Sequence, residues 1–588
     1  MRKTRAREER RIFIKCFVKR CCAIYRPLFL SFMFTLFLGY PGPQDAMSAG
    51  RLKIAVLEEP RTLNTWLASD AWSRKVLSQI YQPLFIREPK TLKLIPWLAE
   101  KTPVYDPGTT SYTVPLRAAR WSDGTAFTAR DVAFTGNMIT DFKVPGYLSQ
   151  WKFIQKIEAL DDHTVKFFLK EPQAIFLSRT LTTPIIQEEK WTKIVEGAKR
   201  TDRPLSGLLN YTIRQPVGTG PFMLKEWREG AYLFLERNPH FFARDMEIAG
   251  FRMGPFIEGM VFKKYGTPDA AILALRKGSA DMFWWGIQPG YLEDLSNEKH
   301  IRIFSTQKSA LYYLGFNLRK APFDDIHFRE AVATMIDRTF IIRRILQGYA
   351  INMPSIVPPG NRFWHFSKGP AHGEGLSREA RIRKAYHNLK NSGYSWEKPP
   401  VNMDGKVVQG QGIMTPDGKP VKRVTILTPP ADYDPHRAMA GIMVQEWIKM
   451  LGIPAGVRPM SLNALIQEVK VRRNFDLFIM GYGQLSLDPD YMRNFFHSAN
   501  DRPRGWNMSG YHNPEFDRIS DASAREMDQE KRRLLIHDMQ RIIMRDIPYF
   551  PLYSPKLVEA ARTDKFEGWV PMLGGIGNTW SFCGLKAK

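Results

Sequence analysis

Apolar positions recur along this chain with two periods. Period two marks strands, because successive side chains point to opposite faces; a period near 3.6 marks helices. Alternation predicts strands at 52–57, 112–116, 154–159 and 164–169, with a turn at Asp161-Asp162 between the last two. A helix is predicted from near Asp70 through "AWSRKVLSQIYQPLF", and others at 269–277, 328–346, 378–391, 435–451 and 529–545. The stretch "WSDGTAFTARDVAFT" combines both periods. Asp123-Gly124 reads as a hairpin turn, since glycine takes positive φ freely. Thr128 followed by Asp131 fits a capping box, in which the hydroxyl satisfies an orphan N–H of the first helical turn. Residues 399–423, rich in Gly and Pro, read as an excursion with a turn at Pro416-Asp417-Gly418. Strands and helices alternate irregularly, so the predicted class is mixed α/β rather than a single wound sheet.

The first fifty residues break this pattern. A basic stretch to Arg26 precedes the uncharged run "LFLSFMFTLFLGY", then Pro41-Gly42-Pro43 and small residues. This is the order of an export signal, with cleavage expected after Ser48 or Ala49. The run falls short of the roughly twenty residues that span a bilayer; an uncleaved anchor is the alternative. Cys16, Cys21 and Cys22 lie in this leader, so the remaining chain keeps only Cys583 and no internal disulfide. With 588 residues the chain has room for about three or four domains. Its net charge is +26, of which the leader's ten Lys/Arg and three Asp/Glu supply +7. The basic residues are scattered, without a long run or a nucleic-acid motif, which points to a solvated surface rather than a polyanion groove. The 15 Trp, 21 Tyr and 37 Phe supply a large core and can also line a cleft.

Catalytic signatures are absent from the sequence. It holds no HExxH, GxSxG, phosphate loop or Cys/His cluster. The acid pairs Glu58-Glu59, Asp161-Asp162 and Asp324-Asp325 are sequence neighbours, a poor arrangement for acid/base work. No cofactor and no metal site is expected.

Several segments, in order, resemble the family 5 extracellular solute-binding proteins of ABC importers, the group that binds dipeptides, oligopeptides and nickel. They are Leu116-Arg117 with Trp121 to Val132, "GTGPF", "ERNPHFF", "AILALRKGSADM", "FNLRKAPFDDIHFREAVATMIDR", "LDPDYMRNFFHS" and "SGYHNPEFDRI". The resemblance implies an α/β, two-lobed, three-domain periplasmic binding protein with a ligand cleft between lobes. It implies a first lobe made of a split domain at 50–83, 214–312 and 558–588 with an inserted domain at 84–213. A second lobe is expected at 313–557. The protein would be periplasmic, deliver a small solute to a membrane permease, and catalyse nothing; an exported hydrolase is the alternative reading. Asp123, Gly124 and Thr128 would be architectural. In peptide-binding members an Asp shortly before the "DPD" segment pairs with the peptide α-ammonium. Here Leu485 holds that place, so Glu59 or Asp490 would have to supply the charge, or the ligand is an oligosaccharide, a chelated metal or another solute. Glu59 and Asn64 in the first loop, Trp284 and Trp285 after the strand at Asp281, and Tyr482, Gln484, Leu485 and Asp490 are the expected cleft residues.

Overall fold

The computed structural model describes residues 50–588. The export signal expected at 1–49, with its three cysteines, lies outside the described residues. Among them one strand, Tyr549–Arg562, organises the rest. Its first part lies antiparallel to Leu311–Phe316 and Ala350–Asn352. Its second part lies antiparallel to Ile301–Gln307 and Met282–Phe283. From Met282–Phe283 the sheet continues through Arg51–Val56, Gly259–Lys264 and Tyr232–Arg237 to Phe222–Arg228. From Leu311–Phe316 it continues through Leu477–Tyr482 and Val424–Thr428 to Ala455–Pro459. Parallel and antiparallel pairs are mixed, as the irregular alternation predicts.

Each half of this sheet has its own core. The first lobe buries apolar side chains from Leu52 to Phe304 and again from Ala561 to Leu585, Trp97 and Trp121 being fully enclosed. A smaller cluster around Ala55, Leu275, Phe283 and Ala560 covers the other face. The second lobe has two clusters, both drawn from residues 311–553. The chain therefore crosses between lobes at 305–310 and 554–557, two neighbouring strand segments that form the hinge.

The predicted elements appear with small shifts. The strand at 52–57 is Arg51–Val56, and the next helix is Ala71–Ile80, capped by the Asp70 carboxylate on Ser73 N–H at 2.8 Å. The helix at 378–391 appears as Arg378–Asn391, and Pro435–Lys449 and Gln529–Asp546 follow their apolar periods closely. The helix expected over 328–346 is broken. It runs Ile326–Met335, stops at an extended Ile336, and resumes as Arg338–Phe340. The break follows from Asp337, which caps Phe340 N–H at 2.9 Å and pairs with Arg381 at 2.6 Å, while Ile336 stays in the core. The excursion at 399–423 contains more order than its composition predicts: Gln411–Met414 pairs with Ser395–Lys398.

The Asp123-Gly124 turn joins Ala119–Arg120 to Ala126–Phe127, with Gly124 at φ +89°. Asp123 accepts from Thr125 and Gln187, so the turn is fixed from within. Thr128 caps Ala129–Asp141, but Asp131 carries more of the local order than the hydroxyl does. Its carboxylate accepts from the N–H of Thr128 at 2.8 Å, the N–H of Glu188 at 2.8 Å and the indole of Trp121 at 3.3 Å. One buried acid thus joins the turn, this helix and the start of Glu188–Lys199.

Candidate ligand site between the lobes

The lobes meet beside the hinge. Ser178, in the segment Phe176–Thr180 of the first lobe, donates its hydroxyl to Asp488 Oδ2 of the second at 2.5 Å. Ala174 N–H donates to the Ala524 carbonyl at 2.9 Å. At the hinge itself, Leu485 N–H donates to the Ser309 carbonyl at 2.6 Å. These bonds hold the molecule with its lobes closed against each other.

Asp488 is the centre of that contact. It is fully buried and takes a two-pronged bond from Arg532, at 2.7 and 2.8 Å. Burial alone would raise its carboxyl, but the Arg532 guanidinium and the Ser178 hydroxyl win and hold it down at about 2. Planar guanidinium–carboxylate pairs of this kind are the strong charge-assisted bonds. Arg87 of the first lobe faces the same acid. Asp490, next to it, is pushed up by burial and by the Asp488 charge.

A cavity of about 310 Å³ opens along the same seam. Lys90 and Leu92 come from the first lobe, Thr306 and Gln307 from the hinge, Gly360 and Arg362 from the second lobe, and Met572 from the loop after the shared strand. Next to it a narrower cleft is lined by Arg87, Lys93, Ser178, Trp364, Asp488 and Arg532. Leu92 lines both, so the two spaces adjoin. A volume of that size is within the range of small-molecule sites.

The residues expected at the cleft fall into distinct environments. Glu59 is bound to a hairpin: its carboxylate accepts from Gly230 N–H at 2.8 Å, Lys264 at 3.3 Å and the Trp227 indole at 3.4 Å. Those bonds outweigh its burial and hold its carboxyl below the ordinary value. Asn64 is completely buried inside the first lobe. Its amide donates to the carbonyls of Leu208, Leu209 and Tyr211 and its oxygen accepts from Trp66 N–H. Trp284 is packed between Trp72, Phe262 and Phe582, and Gly577 lies so near that a Cβ there would fall 2.0 Å from the indole nitrogen. Trp285 is 42% exposed and stacks on Trp72 at 5.5 Å. Tyr482 stacks between Phe495 at 4.5 Å and Tyr313 at 5.7 Å, and Leu485 is buried in the same cluster. Gln484 is exposed at the hinge. The segment 482–490 runs from the hinge to the seam, whereas Trp284 is packed inside the first lobe, Trp285 stacks on its surface, and Glu59 and Asn64 are committed to bonds within it.

The floor of the first lobe carries charges that sequence patterning missed. Lys75, on Ala71–Ile80, sits 4.5 to 5.6 Å from the rings of Trp72, Trp284 and Trp285 and donates to the Trp284 carbonyl at 3.3 Å. Register puts Phe304 opposite Glu559 and Thr306 opposite Leu557, so these share one face, and Lys308 continues it. Burial pushes Glu559 up and Lys75 down; each charge opposes part of the other's shift, while the Lys308 charge opposes the rise of Glu559 and adds to the fall of Lys75. Glu559 accepts from Ile576 N–H at 2.6 Å, and its second oxygen has no partner. Ser178, Arg532, Arg362 and Gln307 were also invisible to local pattern, since each gains its place only when distant segments meet. Asp488 was legible as part of the quoted "LDPD".

Among the described residues no cluster of His, Cys, Asp and Glu could hold a metal ion, and no helix is long and apolar enough to cross a membrane. Cys583 is buried, and burial pushes its thiol up.

Comparison with known proteins places this geometry. The chain is 24% identical over 524 residues to the oligopeptide-binding protein AppA of Bacillus subtilis, covering 88% of this chain and 89% of the relative. It is 24% identical over 537 residues to the glutathione-binding protein GsiB of Shigella flexneri, covering 89% and 93%. The crystal structure of NikZ from Campylobacter jejuni in complex with Ni(L-His) superposes with a TM-score of 0.66 at 22% identity, covering 92% of this chain and all of that one. The model of the bacterial extracellular solute-binding proteins, family 5 middle, matches residues 93–503, and the chain, two-lobed with a seam between separate cores, belongs to that family.

Proposed function

We propose that this protein is exported, captures one small solute between its lobes and hands it to the membrane permease of an ABC importer. The observation that carries the reading is the polar bridge from Ser178 to Asp488 across a two-segment hinge. A bridge of this kind rewards closure, and a ligand touching both lobes adds to that reward. Support for a second lobe made of one segment is that its buried residues come from 311–553, while residues 84–213 share one core with the rest of the first lobe. The named relatives bind oligopeptides and glutathione, so amide-bonded solutes head the ligand classes. A peptide held by its α-ammonium is disfavoured here. Leu485 is apolar, Glu59 is bound to Gly230, and Asp490 is half-buried, its carboxyl pushed up by desolvation and by Asp488. Leaving a buried ammonium without a partner costs several kcal/mol.

The test is closure itself. Protein stripped of bound solute by unfolding and refolding is measured by small-angle X-ray scattering before and after the released solute fraction is returned. The radius of gyration should fall on return. No change with solute shown to be bound would defeat the capture reading.

A further inference from the structure

The cavity between the lobes has an unbalanced lining. Lys90 and Arg362 face it from opposite lobes, and no acidic side chain lines it. The adjoining cleft adds Arg87, Lys93 and Arg532 against one acid, Asp488, which is already bound to Arg532 and Ser178. Lys90, Lys93 and Arg362 have no ion-pair partner among the described residues, although ion pairs are common elsewhere on the chain. Arg319 shares Asp501 with Arg473, for example, and Arg338 pairs with Glu374.

The cavity floor offers hydrogen bonds without taking up charge. Gln307 lines it near Gly360 of the opposite lobe; its Oε1 is buried without a partner, and turning the amide over puts its NH2 there as a donor to an anion. The Ser309 hydroxyl, two residues on, is also buried and unpartnered. On the other face of the same strand, Lys308 with Lys75 puts two cations beside the single carboxylate of Glu559, and burial holds both ammonium groups below their ordinary values. Closing the lobes brings Lys90 and Arg362 to one cavity, and like charges in a partly enclosed space repel.

We infer that the cavity is an anion subsite: the solute carries a carboxylate or phosphate that sits between Lys90 and Arg362, with Gln307 beneath it. The inference rests on the solute-capture reading. An anion there turns a repulsion across the seam into two attractions, so it binds and drives closure in one step. A cationic or neutral solute lacks that gain.

Stripped protein is titrated by calorimetry with N-acetyl-tetraalanine, citrate and inorganic phosphate, and with tetraalanine amide and maltose as cationic and neutral controls. Scattering is recorded on the same samples. At least one anion should bind and compact the protein. Arg362→Gln and Lys90→Gln, whose side chains lie at the surface of their lobes, should each weaken that binding tenfold or more with an unchanged melting curve. Which anion binds separates a carboxylate site from a phosphate site. Binding by the controls alone, or an anion affinity untouched by both substitutions, overturns the anion subsite while leaving capture intact. Failure of every anion to bind also overturns it. If no probe and no returned solute compacts the protein, the capture reading falls as well.

Discussion

Removing the Ser178 hydroxyl tests whether the seam controls closure. In Ser178→Ala the bond to Asp488 is lost, but the carboxylate keeps both prongs of Arg532 and the Asp490 N–H, so no buried charge is stranded. The cost then falls on the contact between lobes and not on either core. A hydrogen bond to a charged group is worth about 1.5–3 kcal/mol. At 1.4 kcal/mol per tenfold, the closed form should lose about 10- to 150-fold in population against the open form. Where the open form dominates without ligand, apparent affinity falls by the same factor. The Ala174–Ala524 bond remains and sets a lower limit on what the seam retains. Closure can be read by energy transfer between labels at Leu160→Cys and Tyr433→Cys, one on each lobe and both more than half exposed in the parent. Cys583 is fully buried and stays unlabelled. Denaturant midpoints should match within error. If the closed fraction and the affinity are both unchanged, the Ser178–Asp488 bond does not hold the lobes together and the seam has been misread.

Other expectations follow from the same bonds. Arg532→Met strands Asp488 in a dry site and should cost about 3–5 kcal/mol in denaturant titration; a loss under 1 kcal/mol would contradict its burial. Because Asp488 falls from the ordinary 3.8 to about 2 on folding, its stabilisation is complete above pH 4 and is lost as pH falls through 2. That slope, about 2–3 kcal/mol in all, should be missing from Asp488→Asn when stability is followed from pH 5 to pH 2. Thr128→Ala should cost about 1 kcal/mol as a lost cap, and Asp131→Ala more, since three donors lose their acceptor; ligand affinity in folded protein should hold for both, and a drop would move the cleft. Gly218→Ala should cost more than the 1–3 kcal/mol typical of overpacking, because the new Cβ would lie 1.9 Å from the Ile80 carbonyl oxygen; a normal melting temperature would show that the two segments are not so close. Amino-terminal sequencing of the processed protein should start just after Ser48 or Ala49, and a start at Met1 would favour an anchor.

Local periodicity gave the elements well because each long amphipathic run has one dominant face. It failed at 328–346, where the apolar period continues through Ile336 while Asp337 prefers to cap a new turn and meet Arg381. The candidate site was legible only where it sits in one short segment, from Tyr482 to Asp490. Arg532 lies 44 residues from Asp488 and Ser178 lies 310, and no spacing rule joins them. Glu59 and Asn64 show the opposite case. The resemblance marked them as cleft residues, but neighbours distant in sequence, Gly230 and Leu208 among them, use their hydrogen bonds.

The path of the shared strand sets an order of events during synthesis. The second lobe draws its buried residues from one uninterrupted stretch, so it can collapse as soon as residue 553 is available. The first lobe cannot, because Trp580, Phe582 and Leu585 complete a core begun at Leu52. For most of its emergence the amino-terminal half therefore waits as an unfinished shell, with the interior of its sheet open to solvent or to a chaperone. Pulse proteolysis of ribosome-bound chains should find the 311–553 region protected first and the 52–304 region last.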